Sequence, residues 1–242
     1  MAIFMLIHGA WHGGWCWERL VPALEGRGHT VIAPDLPAMG SDATPLGEVS
    51  LESWAEHVAA LIRRQTEPVI LVGHSRGGIV ISQTAELVPE RVSALVYLAA
   101  FLIPDGKTMR EGGSRSGSDN PPPGLTLHED GSISMAAATA RAKLYNGTAS
   151  EFADAAVARL CPEPGCMFRT PLRLSDARFG QVPRAYIETT LDLALPVERQ
   201  RAMQAVLPCE PVITLEADHS PFYSRIEPLV DALDGIAGHY GV

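Results

Sequence analysis

The stretch Pro68-Val-Ile-Leu-Val-Gly-His-Ser-Arg-Gly-Gly-Ile-Val-Ile-Ser82 decides how the rest of the chain is read. Residues 69–72 form an unbroken apolar run with the length and β-branched content of a strand buried on both faces. Residues 79–88 carry apolar side chains on several sides, as a buried helix does. Between them lies Gly73-His74-Ser75-Arg76-Gly77, a G-x-S-x-G turn from strand to helix. Its glycines predict a turn so tight that a Cβ at either flanking position would collide with neighbouring backbone. Such a turn strains Ser75 and lifts its Oγ clear of the sheet, over the positive end of the next helix. The pattern alone also describes an ordinary Gly/Ser loop. The strand before it and the helix after it make Ser75 the candidate nucleophile.

Working outward, apolar strands are predicted at residues 3–7, 30–33, 92–99, 184–190 and 211–215, and helices at 15–26, 50–64 (with Ser50 as N-cap) and 198–206. A helical stripe from Ile226 to Tyr240 closes the chain. Alternating strands and helices predict an α/β fold: a doubly wound, mainly parallel six-stranded sheet, with ligands bound beyond the carboxyl ends of its strands. From 107 to 182 the alternation stops. Residues 112–124 read as flexible and turn-rich, 135–144 and 150–160 as helical, and 162–171 as irregular. An insertion after the fourth core strand reads as a cap walling a substrate pocket, against the blander alternative of a surface elaboration. The expected organisation is therefore a core of 1–106 and 183–242 with a cap of 107–182, one domain overall.

A chain of 242 residues, 46% hydrophobic and 19% charged, has the composition of a soluble globular protein. Its formal net charge of −9 argues against nucleic acid and anionic membranes as partners. The apolar N-terminus lacks a basic region and runs straight into His8-Gly9, so it reads as a strand and not a signal peptide, and cytoplasmic is the default location. Cys16, Cys161, Cys166 and Cys209 are too scattered for a disulfide framework; Cys161 and Cys166 could bridge a short loop, but free thiols are the expectation. None has zinc-ligand spacing.

A serine hydroxyl needs an adjacent base, and histidine is the side chain whose ordinary pKa suits that task. His219 follows the last predicted strand, at the sheet edge where Ser75 lies. His8 and His12 also lie near that edge but within a glycine-rich loop, and His74 should point away from its neighbour. A carboxylate must orient the imidazole. Asp192, directly after the fifth strand, leads; Asp105 is its rival, and Asp218 is read as shaping the His219 loop. The oxyanion donors would be the backbone N–H groups of Ala10 and Arg76. The Arg76 side chain is open to a purely structural role, pairing with an acidic neighbour. Gly9, Trp11, Phe152, Phe168, Phe179 and Ser220 are candidates for the pocket.

Five segments carry a resemblance: His8-Gly-Ala-Trp-His-Gly-Gly-Trp-Cys-Trp17, Gly73-His-Ser-Arg-Gly-Gly78, Leu95-Val-Tyr-Leu-Ala-Ala-Phe101, Tyr186-Ile-Glu-Thr-Thr-Leu-Asp192 and Glu216-Ala-Asp-His219. They resemble the α/β-hydrolase superfamily, and within it the plant methylesterase and hydroxynitrile lyase group; bacterial carboxylesterases, including pyrethroid-hydrolysing ones, are similar. The resemblance implies the α/β-hydrolase fold, a triad at Ser75, Asp192 and His219, and no cofactor. Dimers are common in similar proteins, which makes a homodimer an analogy only. The lyases have threonine where this chain has Gly9, and a cyanide-handling lysine where it has Ser220. These differences favour ester hydrolysis.

The expectation is a serine carboxylesterase acting on a small or medium apolar ester. Cyanohydrin cleavage, cofactor-free dioxygenation and non-enzymatic small-molecule binding are the alternatives.

Overall fold

The computed structural model describes residues 1–113 and 122–241, so most of the turn-rich 112–124 reading lies outside the described residues. The first half of the chain runs β1 (Ile3–Ile7), α1 (Leu20–Glu25), β2 (Thr30–Ile32), α2 (Leu51–Arg63), β3 (Val69–His74), α3 (Gly77–Leu87) and β4 (Val92–Leu98). An insert follows with α4 (Met109–Gly113), β5 (Leu125–Leu127), β6 (Ser132–Met135), α5 (Ala137–Lys143), α6 (Ser150–Val157) and β7 (Glu163–Pro164). The chain ends with β8 (Arg184–Thr189), α7 (Val197–Val206), β9 (Val212–Leu215), α8 (Pro221–Ser224) and α9 (Ile226–His239).

The main sheet has six strands in the order β2-β1-β3-β4-β8-β9, and every pairing in it is parallel. Strand residues alternate between two buried layers. Met5, Ile7, Leu71, Leu95, Tyr97 and Tyr186 pack with α2 and α3. Phe4, Leu6, Ile70, Val72, Val96 and Ile187 pack with α1 and α9. A sheet buried on both faces needs the near-continuous apolar strands seen in the sequence. The chain winds from β1 outward to β2, then returns to β3 and winds the other way. The gap between the ends of β1 and β3 is thus the switch point where such sheets bind ligands.

Local chemistry sets the helix boundaries. Ser50 caps α2: its Oγ accepts the Ser53 N–H at 3.1 Å while Ser53 Oγ accepts the Ser50 N–H at 2.9 Å. The helix expected at 15–26 is instead a 3₁₀ turn, Gly14–Trp17, followed by α1. Pro22 lacks an N–H and is tolerated only within a helix's first turn, so α1 begins just before it.

The insert differs more from expectation. It contains a three-stranded antiparallel sheet in the order β5-β6-β7, whose hairpin turns at Asp130-Gly131, with Gly131 at φ +81°. The last part of the expected cap is not above the strand ends. Arg173 exchanges two hydrogen bonds with the Gln83 amide, and Ser175 N–H reaches Glu86 Oε2 at 2.8 Å, so residues 172–182 descend along α3. A parallel β8 must start at the opposite edge, and this segment carries the chain there.

Candidate active site

The G-x-S-x-G turn joins β3 to α3 as the strand–helix context requires. Ser75 has φ +52°, a left-handed conformation costly for a residue with a side chain. Its N–H donates to the Leu98 carbonyl at 3.2 Å, and its carbonyl accepts from Gly78 and Phe101 at 3.1 and 3.0 Å. A Cβ on Gly73 would stand 2.7 Å from the Gly77 carbonyl oxygen, and one on Gly77 would stand 2.6 Å from that of Ile7. The bend is therefore possible only with glycine on both sides.

His219, on the loop after β9, and Asp192, after β8, meet with Nδ1 2.6 Å from Oδ2. A carboxylate can only accept, so Nδ1 carries a proton, and Nε2 is the ring nitrogen that this pairing leaves uncommitted. Asp192 Oδ1 accepts the N–H groups of Ala194 and Leu195 at 2.8 and 2.7 Å, and Thr189 Oγ1 reaches Oδ2 at 3.2 Å. Buried Gln200, which sequence reasoning did not single out, ties Thr189 to Leu195 behind this carboxylate. The rival Asp105 accepts from Leu174 at 2.7 Å, and among the described residues no hydrogen bond joins it to a histidine. Asp218 shapes the loop: Oδ1 accepts from Ser220 N–H and Ser224 Oγ, and Oδ2 from Gly147 N–H and Thr148 Oγ1.

The His219 loop abuts the G-x-S-x-G turn through His74, whose Nε2 donates to the His219 carbonyl at 2.8 Å and whose ring centre lies 4.7 Å from that of His219. Among the described residues no hydrogen bond joins Ser75 Oγ to His219; catalytic contacts of this kind are often long without substrate. Ser75, Asp192 and His219 are all buried.

The loop after β1 forms the other wall. A Cβ on Gly9 would sit 3.1 Å from Ser75 Cβ, so this loop lies against Ser75. Neither the Ala10 nor the Arg76 N–H has a hydrogen-bond partner among the described residues. Trp11 takes φ +64°. His8 donates Nδ1–H to the Gly9 carbonyl and accepts the Leu36 N–H at Nε2. His12 donates Nδ1–H to the Ala10 carbonyl and accepts from the Tyr145 hydroxyl. Burial pushes His8 down to about 3 and His12 to about 4, and holds His74 well below the ordinary value, so all three are neutral supports.

The insert is tied to each wall. Consecutive residues Tyr145, Asn146, Gly147 and Thr148 reach His12, the Leu191 carbonyl and, with the last two, Asp218. Of the pocket candidates, Trp11 donates its indole N–H to the Ile133 carbonyl at 2.9 Å and lies beside Phe168, with ring centres 6.1 Å apart. Ser220 is buried, and its Oγ has no partner among the described residues. Phe152 packs between Arg19 and Tyr223. Phe179 is not brought to the rim: its N–H bonds Glu86 at the far end of α3, and Arg184 lies over its ring at the start of β8. The descending return segment carries it there. A groove of about 390 Å³ bounded by Leu102, Ile103 and Met203 contains no triad candidate.

Sequence reading missed Glu163, the buried partner of Arg76 at 2.8 Å. The available signal was an arginine directly after Ser75, a position covered in this fold and in need of a counter-ion. Which of the 28 acidic residues supplies it depends on the path of the insert.

Among the described residues no group of three His, Cys, Asp or Glu side chains is arranged to hold a metal ion, and no helix is long and apolar enough to cross a membrane. The four cysteines are free; Cys161 Sγ approaches the Trp11 carbonyl and Cys166 Sγ that of Val49.

The model of the alpha/beta hydrolase family matches residues 4–232. Methylesterase 1 of Arabidopsis thaliana is 33% identical, over 98% of this chain and 96% of its own length. An alpha-hydroxynitrile lyase of the same plant is 31% identical over 98% and 97%. The crystal structure of a pyrethroid hydrolase from Sphingobium faniae superposes with a TM-score of 0.86 at 30% identity, covering 98% of this chain and 97% of that one.

Proposed function

The chain belongs to the alpha/beta hydrolase family, and from that premise we propose that it is a serine carboxylesterase acting on small or medium apolar esters through Ser75, His219 and Asp192. Its esterase relatives support an ester hydrolase of this family. The observation that carries the finer reading is the 2.6 Å His219–Asp192 pair, whose loop is bonded at the His219 carbonyl by His74, the residue before the strained Ser75.

In this reading Ser75 Oγ attacks the ester carbonyl while His219 Nε2 takes its proton, and Asp192 stabilises the imidazolium. The carbonyl oxygen becomes an oxyanion facing the N–H groups of Ala10 and Arg76, donors worth about 3 kcal/mol each in such sites. His219 then protonates the leaving alcohol. Water, deprotonated by the same ring, hydrolyses the acyl-enzyme and regenerates Ser75. Trp11 and Phe168 supply apolar surface for the substrate, with residues of the insert acting as a cap.

A panel of p-nitrophenyl esters tests this, with turnover expected in the native protein and lost in Ser75→Ala. Equal rates in the two would sink the proposal. The lyase relative keeps cyanohydrin cleavage as the second reading. Against it, Ser220 offers no ammonium, and a Cβ on Gly9 would stand 2.8 Å from His74 Nδ1, leaving no room for threonine in the loop as it stands. Cyanide release from mandelonitrile without ester turnover would favour that reading instead.

A further inference from the structure

Arg76 and Glu163 are both fully buried, and each touches the loop after β1. Arg76 Nε lies 2.8 Å from Glu163 Oε1, an ion-pair approach without the N–H direction of a good hydrogen bond. Arg76 Nη2 donates to the Gly9 carbonyl at 2.9 Å and is 3.5 Å from Glu163 Oε2. Trp54 stacks under the guanidinium, 4.3 Å from its carbon. The other half of the arrangement is Trp11. Its N–H donates to Glu163 Oε2 at 3.0 Å, its carbonyl accepts the Cys161 N–H at 2.9 Å, and its indole N–H reaches Ile133.

These contacts bracket a single peptide unit. The carbonyl of Gly9 and the N–H of Ala10 belong to the same planar amide and point in opposite directions. Gripping the oxygen therefore aims the hydrogen. Two donors grip it, His8 Nδ1 and Arg76 Nη2, both at 2.9 Å. On the following residue, Glu163 holds the N–H of Trp11 in a left-handed conformation that would otherwise relax.

We propose that Arg76 and Glu163 are positioning residues for the oxyanion hole: the guanidinium aims the Ala10 N–H, and the carboxylate of the insert holds both the guanidinium and Trp11 in place. Arg76 thereby serves both donors, one through its own backbone and the other through its side chain. The inference rests on the esterase reading above. It gives the insert a role in catalysis beyond walling the pocket, because β7 supplies the carboxylate. A buried ion pair is weak evidence of stability, since apolar pairs of similar volume often do as well. Its place here is better explained by the geometry it imposes.

The test separates stability from positioning. Arg76→Met, Glu163→Gln and the double variant Arg76→Met with Glu163→Met are compared with the native protein in ester turnover, in inhibition by a trifluoromethyl ketone, and in thermal unfolding. All rates are normalised to active sites counted with an organophosphate. The ketone forms a hemiketal oxyanion with Ser75 and so reports on the donors directly. Each single variant is expected to lose about tenfold to a hundredfold in kcat, short of the loss from deleting a donor outright, with KM nearly unchanged. The ketone should weaken by a similar factor. In the double variant the unfolding temperature is expected to recover while kcat and ketone affinity stay low. Recovery of kcat along with the unfolding temperature would overturn the proposal, as would native kcat in the single variants. Should Arg76→Met not fold, Glu163→Gln carries the same comparison, since its amide keeps the volume and an acceptor for Trp11. If the native protein shows no Ser75-dependent turnover, the esterase reading fails first and separately.

Discussion

His219 Nδ1 lies 2.6 Å from Asp192 Oδ2, while the other oxygen of that carboxylate is committed to two backbone N–H groups, those of Ala194 and Leu195. The arrangement makes the outcome of Asp192→Asn specific. The two backbone donors require an acceptor, so the amide oxygen takes the Oδ1 place and the NH₂ faces the imidazole. That NH₂ can only donate to Nδ1, which moves the ring proton to Nε2 and blocks the base. We expect kcat at neutral pH to fall by about 10⁴ with the fold intact, as such tautomer errors do in serine hydrolases. A variant retaining a tenth of native activity would remove Asp192 from the mechanism.

The buried histidines predict a loss of stability in acid. His8 and His12 have folded-state values of about 3 and about 4 against an ordinary 6.5, mainly through burial, and His74 is also well below it. Below about pH 6.5 the unfolded chain binds protons at these sites and the folded chain does not, so unfolding gains. Their contribution is whole above pH 6.5 and is lost as pH falls towards 4 and then 3, each group costing about 1.4 kcal/mol per pH unit in that window. Urea midpoints measured from pH 7.5 to 4.5 should be flat at first and then drop steeply. In His12→Asn the drop should be shallower; an unchanged slope would contradict the assignment.

Much of this architecture was legible because it rests on local patterns. The apolar run before Ser75, the glycines beside it and Ser50 ahead of an amphipathic stretch each dictate backbone geometry within a few residues. The pairing of His219 with Asp192 was also readable, since parallel sheets gather their loops at one edge and few candidates stand there. What stayed hidden depends on long-range partners. Glu163 is 87 residues from Arg76 and lies in a two-residue strand with no periodicity to reveal it. Phe179 is as apolar as Phe168, and only the path of the return segment along α3 separates a core residue from one near the site.

Asp218 tests the tether between the insert and the base. It is fully buried and accepts four hydrogen bonds, two from Ser220 and Ser224 just beyond it in the chain and two from Gly147 and Thr148. Asp218→Asn must turn an NH₂ towards one of these donor pairs. Leaving such donors unsatisfied costs about 1–3 kcal/mol, and His219 should lose its fixed position as well. The expected outcome is a lower unfolding temperature together with reduced kcat. A loss of stability with native kcat would show that the His219 loop holds its place without the insert.

Gly9 is where space between the two walls of the site runs out. A Cβ there would meet His74 Nδ1 at 2.8 Å, Ser75 Cβ at 3.1 Å and His74 Cε1 at 3.2 Å. The His74 ring is pinned by its bond to the His219 carbonyl, and Ser75 is held by three backbone hydrogen bonds, so neither can retreat. In Gly9→Ala the loop itself must give way, and the Ala10 N–H moves with it. Overpacking of this kind costs about 1–3 kcal/mol of stability. The larger effect should be on turnover, because a displacement of about 1 Å in a positioned catalytic group can cost on the order of a hundredfold. Kinetics on the same p-nitrophenyl esters should show kcat down by tenfold or more, on the scale of such displacements, and Gly9→Thr should be worse. If Gly9→Ala keeps native kcat, the loop relaxes without disturbing the oxyanion, and the donor assigned to Ala10 must be sought elsewhere on the rim.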